Sequence, residues 1–135
     1  MRAFKLVLIV CVLVLVAFGA GVGWSTARRG TAQQALDGVQ QQLDLSDART
    51  HILEARVSLY NVNFGDAQRQ LDDAKGPLTK ARDRAQEQKK RELADALSAA
   101  LAHVQEAQRL AGRLDQNANS RANEALKAIQ VATAK

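Results

Sequence analysis

The chain has 135 residues, 47% of them hydrophobic and 4% aromatic, with 19 basic residues against 14 acidic ones and a formal net charge of +5. A single cysteine, Cys11, excludes an intrachain disulfide framework, and only Tyr60 and Phe64 follow Trp24 as aromatics, too few to stack bases or sugars. The charge is no nucleic-acid signal either: Arg2, Lys5, Arg28 and Arg29 flank one apolar run, and residues 31–135 carry 15 basic against 14 acidic groups, so the basicity belongs to the flanks of that run.

Residues 1–5 form a basic N-terminus, and residues 6–24, LVLIVCVLVLVAFGAGVGW, hold no charge. At about 1.5 Å of rise per residue this run makes roughly 28 Å of helix, close to the ~30 Å hydrocarbon thickness of a bilayer. It predicts a transmembrane signal anchor with Trp24 at the interface, where an amphipathic ring is stable beside headgroups. A cleaved signal peptide is the alternative, with small residues at Ala17/Gly19 or Ser25/Ala27 offering cleavage sites. Cys11, preceded by Ile9 and Val10, reads as a small buried hydrophobe and not as a lipid-attachment site. Gly19 and Gly23 form a GxxxG spacing whose groove suits close approach of two spans, and hence a homodimer. The basic flanks nearly balance; a short N-terminus kept inside with the long tail translocated is the expected orientation.

Residues 25–45 read as a juxtamembrane helical stalk, with Ala32, Leu36, Val39 and Leu43 at helical spacing. The next apolar series, Leu45, Ala48, Ile52, Ala55, Leu59 and Val62, is out of phase with it by about two residues. Either a new helix is capped at Asp44 or Ser46, or one long helix changes its buried face. A helix over 46–61 then gives way at Asn61-Val62-Asn63, and Ala67, Leu71, Ala74, Leu78, Ala81 and Ala85 mark a second. Asn63 and Asp66 have the spacing of a capping box. Gly76-Pro77 falls within this series without disturbing its phase, so a kink is expected there.

Around the first reversal, Ala55, Phe64, Ala67, Leu71 and Ala74 fall where a tetratricopeptide hairpin has a small residue, an aromatic, alanine, a large apolar residue and alanine. Residues 46–76 thus resemble a single tetratricopeptide-type hairpin, which implies a packing mode for two helices and no ligand. Residues 86–92 lack apolar positions and suit a second reversal. Leu93, Leu97, Ala100, Val104, Ala107, Ala111 and Leu114 form a heptad seam, and Ala118, Ala122, Ala125, Ile129 and Ala132 mark a last helix. The predicted fold is therefore all-α: one N-terminal transmembrane helix, then a small antiparallel helical bundle over 46–135.

Chemistry-bearing patterns are sparse. His51 and His103 each have a glutamate three residues on, Glu54 and Glu106, which is half a metal site at best. There is no phosphate loop and no nucleophile motif, so no catalytic residue and no cofactor is implied. The basic concentration is 75–91, with seven basic and two acidic residues, and Lys89, Lys90 and Arg91 at its end are candidates for anionic lipid or an acidic partner. The expectation is a non-catalytic scaffold or protein-interaction module of bacterial inner-membrane type, its C-terminal domain outside the cytoplasm. Its partners are the membrane, a second copy through Gly19 and Gly23, and an unidentified protein. A secreted or periplasmic helical binding protein, after signal cleavage, is the alternative.

Overall fold

Alternating intervals of three and four between apolar residues bury one stripe per helix, and four such stripes meet in the computed structural model, which describes residues 32–134. Two compact units divide the chain, Met1–Gly38 and Val39–Lys135. Of the first, residues 32–38 are described: they are helical, and all but Asp37 are exposed. The proposed span with Gly19, Gly23 and Trp24 lies outside the described residues, among which no helix is long and apolar enough to cross a membrane.

Helix α1 covers residues 32–60, and α2 (Phe64–Glu87), α3 (Arg91–Ala111) and α4 (Asn117–Thr133) follow. No strand occurs among the described residues. There is no new helix start at Asp44 or Ser46; one helix continues and its buried face begins at Gln41, Leu45 and Ala48. The compact second unit thus includes 39–45 together with 46–135.

Polar ties across the helix pairs give the directions. Near its start α1 meets the end of α2, where Gln41 Nε2 donates to the carbonyl of Ala81 at 3.0 Å and Arg84 Nη1 lies 2.6 Å from Asp44 Oδ2. Further on, His51 Nδ1 is hydrogen-bonded to Gln70 Oε1 at 3.1 Å. Toward α4, Arg49 reaches Thr133 and Arg56 reaches Asn119, so α1 is antiparallel to both neighbours. Lys75 Nζ donates to Gln108 Oε1 across α2 and α3, and His103 lies beside Glu124 across α3 and α4.

The main core joins Ile52, Leu71, Leu78, Leu97, Val104 and Ile129, all fully buried, through layers of alanine that let the helices approach closely. A smaller cluster of Leu59, Phe64, Ala67, Ala111 and Ala118 closes the end where the α1–α2 and α3–α4 turns lie. The five residues of the hairpin resemblance, Ala55, Phe64, Ala67, Leu71 and Ala74, are all buried. Four residues expected in the stripes are not: Leu93 and Ala132 are half-buried, and Val62 and Leu114, each just past a helix end, are 63% and 70% exposed.

All three reversals share one construction. Val62, Lys89 and Leu114 each take φ 58°, and the next amide donates back five residues, Asn63 to Ser58, Lys90 to Ala85 and Asp115 to Leu110. This is the Schellman closure, which satisfies the free carbonyls of a helix end and usually employs glycine at the left-handed position. Asn63 starts α2: its Oδ1 accepts from the amide of Asp66 at 3.2 Å while its Nδ2 donates to the Asp66 carboxylate; the Asn63 amide itself goes to Ser58, so only the first half of a capping box is made. Pro77 is accommodated inside α2, which continues unbroken through it. The preceding residue, Gly76, has no Cβ to clash with the proline ring.

Candidate interaction face

Helix α1 carries two apolar faces. Gln41, Leu45, Ala48, Ile52, Ala55 and Leu59 are buried in the bundle. Offset from them by two residues run Val39, Leu43, Ser46, Thr50, Leu53, Val57 and Tyr60, spaced 4, 3, 4, 3, 4, 3. Five of these seven are large apolar side chains and stand in solvent: Val39 64%, Leu43 59%, Leu53 50%, Val57 60% and Tyr60 70% exposed. Two residues of offset correspond to about 200° around a helix, so this second series faces away from the core. Around its middle, Thr50, Leu53, Glu54, Val57 and Ser58 line a shallow groove.

The face was half visible in the sequence. Spacing assigns Val39 and Leu43 to a stalk out of phase with the core and gives no role to Leu53, Val57 and Tyr60, which continue their phase. The available signal was a pair of interleaved heptads on one helix, of which a single buried face explains only one. Its borders are charged and differ in sign. Arg49 and Arg56 line the side toward α4, where Arg49 Nη2 donates to Thr133 Oγ1 at 2.6 Å and Arg56 Nε to Asn119 Oδ1 at 2.9 Å. Asp47 and Glu54 line the other side, with Glu54 Oε2 3.6 Å from His51 Nδ1.

The basic concentration is smaller in three dimensions than in sequence. Arg84 is held by Asp44, Lys75 by Asp72 and Gln108, and Arg82 by Asp83. Lys89, Lys90 and Arg91 are exposed at the α2–α3 turn, on the end of the bundle where α1 begins its buried face. Lys90 and Arg91 border a concavity floored by Leu93, Ala96, Val131 and Ala132.

The two histidines are not brought together. His51 faces Gln70 of α2, whereas His103 Nδ1 lies 3.3 Å from Glu124 Oε2 of α4. No group of three or more His, Cys, Asp or Glu side chains suited to a metal ion occurs among the described residues. The shifted titrations have local ion-pair causes. Hydrogen bonds from Lys75 and Gln108 hold the Asp72 carboxyl below its ordinary value, the Arg109 guanidinium does so for Glu106, and Arg121 with the nearby His103 does so for Glu124. None of these carboxyls is raised toward neutrality as a general acid would need.

No protein-family model matches the chain, no curated protein is similar to it, and no solved structure matches it.

Proposed function

We propose that the chain is a membrane-anchored, non-catalytic interaction module: a single span over 6–24 holds a helical bundle at the membrane surface, and the bundle offers the outer face of α1 to a protein partner. The observation that carries this reading is the series Val39, Leu43, Leu53, Val57 and Tyr60, each half or more exposed at heptad spacing on a helix whose core requirement is already met by its other face. Scattered exposed apolar residues are ordinary; an aligned row of them on one helix is the form a helix-binding surface takes. The polar core residue Gln41 and the pair Asp44–Arg84 join α1 to α2, supporting a bundle that stays assembled while its outer face is engaged.

Lys89, Lys90 and Arg91 fit the same reading. They are exposed together at one turn of the bundle, and close to an anionic leaflet each such cation adds about 1 kcal/mol of attraction.

The test uses the full chain in native membranes. A photo-crosslinking residue at Leu53 or Val57 is expected to form protein adducts, one at Asp95 on α3 is not, and the protein is expected to stay in the membrane pellet at high pH. Absence of adducts from both α1 positions removes the interaction face. A mature chain beginning after Gly19 or Ala27 and released by alkaline washing replaces the anchor with the secreted alternative.

A further inference from the structure

We infer that the occupant of the outer face of α1 is a second copy of this chain, packed in parallel and in register, so that the two bundles are joined by a two-stranded coiled coil of α1 with α1. The inference rests on the interaction reading above and names its partner. The first ground is the identity of the seam. Leu43, Thr50 and Val57 take one heptad position and Val39, Ser46, Leu53 and Tyr60 the other. Around Leu53 the pattern is the one that favours two parallel strands, with β-branched Thr50 and Val57 at the first position and leucine at the second; Val39 and Leu43 reverse it one heptad earlier, so charge decides the direction.

The second ground is charge. In a parallel pair, the residue just before the first seam position meets the partner's residue five places further on. Arg49 then faces Glu54 of the partner subunit, twice by symmetry, and Gln42 faces Asp47 of the partner subunit. An antiparallel pair would instead set the arginine borders against each other and the acidic borders against each other. The two borders of one helix differ in sign, so a copy of the same helix complements them only when it runs in the same direction. Exposure permits the contact: Arg49 is half-buried and Glu54 exposed, and the one hydrogen bond recorded for Arg49, to Thr133, leaves the other donors of its guanidinium available.

The third ground is placement. The core residues of α1 lie about 160° around the helix from the seam, so each bundle projects away from the joint and α2 and α4 do not block it. A parallel arrangement is also the one that two chains entering from the same membrane adopt. The hydroxyl pair Ser46 and Thr50, with Thr50 Oγ1 donating to the carbonyl of Ser46 at 3.0 Å, weakens the middle of the seam. Association of three heptads is therefore modest in free solution and is raised by confinement to one membrane, which turns a bimolecular encounter into one at high effective concentration.

The test is oxidative cross-linking of the full chain in its membrane, on a Cys11→Ala background that leaves one engineered cysteine. Thr50→Cys is expected to give a disulfide-linked dimer at least about tenfold faster than Asp95→Cys, since in-register seam residues approach to disulfide distance. Arg49→Glu and Glu54→Arg are each expected to slow it about tenfold, by replacing two attractive pairs with two repulsive ones, and the double exchange to restore it. Equal rates for Thr50→Cys and Asp95→Cys, or a double exchange no better than either single one, overturns the parallel pair. If Leu53 then still photo-crosslinks to a different protein, the interaction face stands and only its occupant is wrong; if Leu53 gives no adduct, both fall.

Discussion

Arg84, in the last turn of α2, places Nη1 2.6 Å from Asp44 Oδ2 on α1, and the two side chains are only 19% and 17% exposed. Beside them the buried Gln41 donates to the carbonyl of Ala81. This pair fixes which part of α1 lies against α2, at the edge of the stripe that buries Leu45, Ala81 and Ala85. Removing one partner strands a charge in a largely desolvated place, so Asp44→Ala is expected to cost about 1–3 kcal/mol in chemical denaturation, and Asp44→Ala with Arg84→Met together less than Asp44→Ala alone.

The turns hold stability in reserve. Val62 is β-branched, exposed and at φ 58°, where glycine alone is unstrained. Val62→Gly is expected to stabilise the bundle by about 1 kcal/mol, with a smaller gain from Lys89→Gly. Asn63→Ala, next in sequence, is expected to lose about 1 kcal/mol through the cap to Asp66. Thermal melting distinguishes a gain at 62 from a loss at 63.

Acid is expected to destabilise the bundle from a definite side. Asp72, Glu106 and Glu124 have folded values held below the ordinary ones by Lys75, Arg109 and Arg121. A carboxyl lowered by folding contributes stability above its unfolded value and loses it as the pH falls through its folded value. These three groups are therefore expected to leave denaturation midpoints unchanged between about pH 6 and 8 and to lower them below about pH 4.5. Lys75→Gln, Arg109→Gln and Arg121→Gln together are expected to flatten the acid limb.

The basic turn is expected to bind anionic surface weakly. The compact unit 39–135 should sediment with anionic vesicles at low salt, be released by about 0.5 M salt as screening shortens the reach of its charges, and lose most binding when Lys89, Lys90 and Arg91 are changed to Gln. Binding that survives either change would place the attraction elsewhere.

The core was largely legible in advance because heptad spacing is a one-dimensional property: Ala67 through Ala85 and Leu97 through Ala111 are buried where their intervals put them. What spacing could not supply was competition between faces. The series Val39, Leu43, Ser46, Thr50, Leu53, Val57 and Tyr60 has the same alternation of four and three as Gln41, Leu45, Ala48, Ile52, Ala55 and Leu59, and only contact with α2 and α4 decides which set is inside. Likewise Arg84 looked like part of a solvated basic run, since its partner Asp44 lies 40 residues away in sequence. The reversals near Val62 and Lys89 are legible from the breaks in apolar spacing, but their left-handed closure is not: none of Val62, Lys89 and Leu114 is the glycine that normally marks such a helix end.

Neighbouring residues on α1 give the most direct test of the claim that this helix has one face for the core and another for a second copy. Ile52 is fully buried and Leu53 is 50% exposed. In the full chain, Ile52→Asp is expected to cost several kcal/mol and abolish cooperative melting. Leu53→Asp is expected to leave the helical signal and melting temperature of the bundle unchanged while removing the Thr50→Cys cross-linked dimer in membranes. A Leu53→Asp protein that fails to fold, or that folds and still cross-links through Thr50→Cys as fast as the parent, would contradict the two-faced reading of α1.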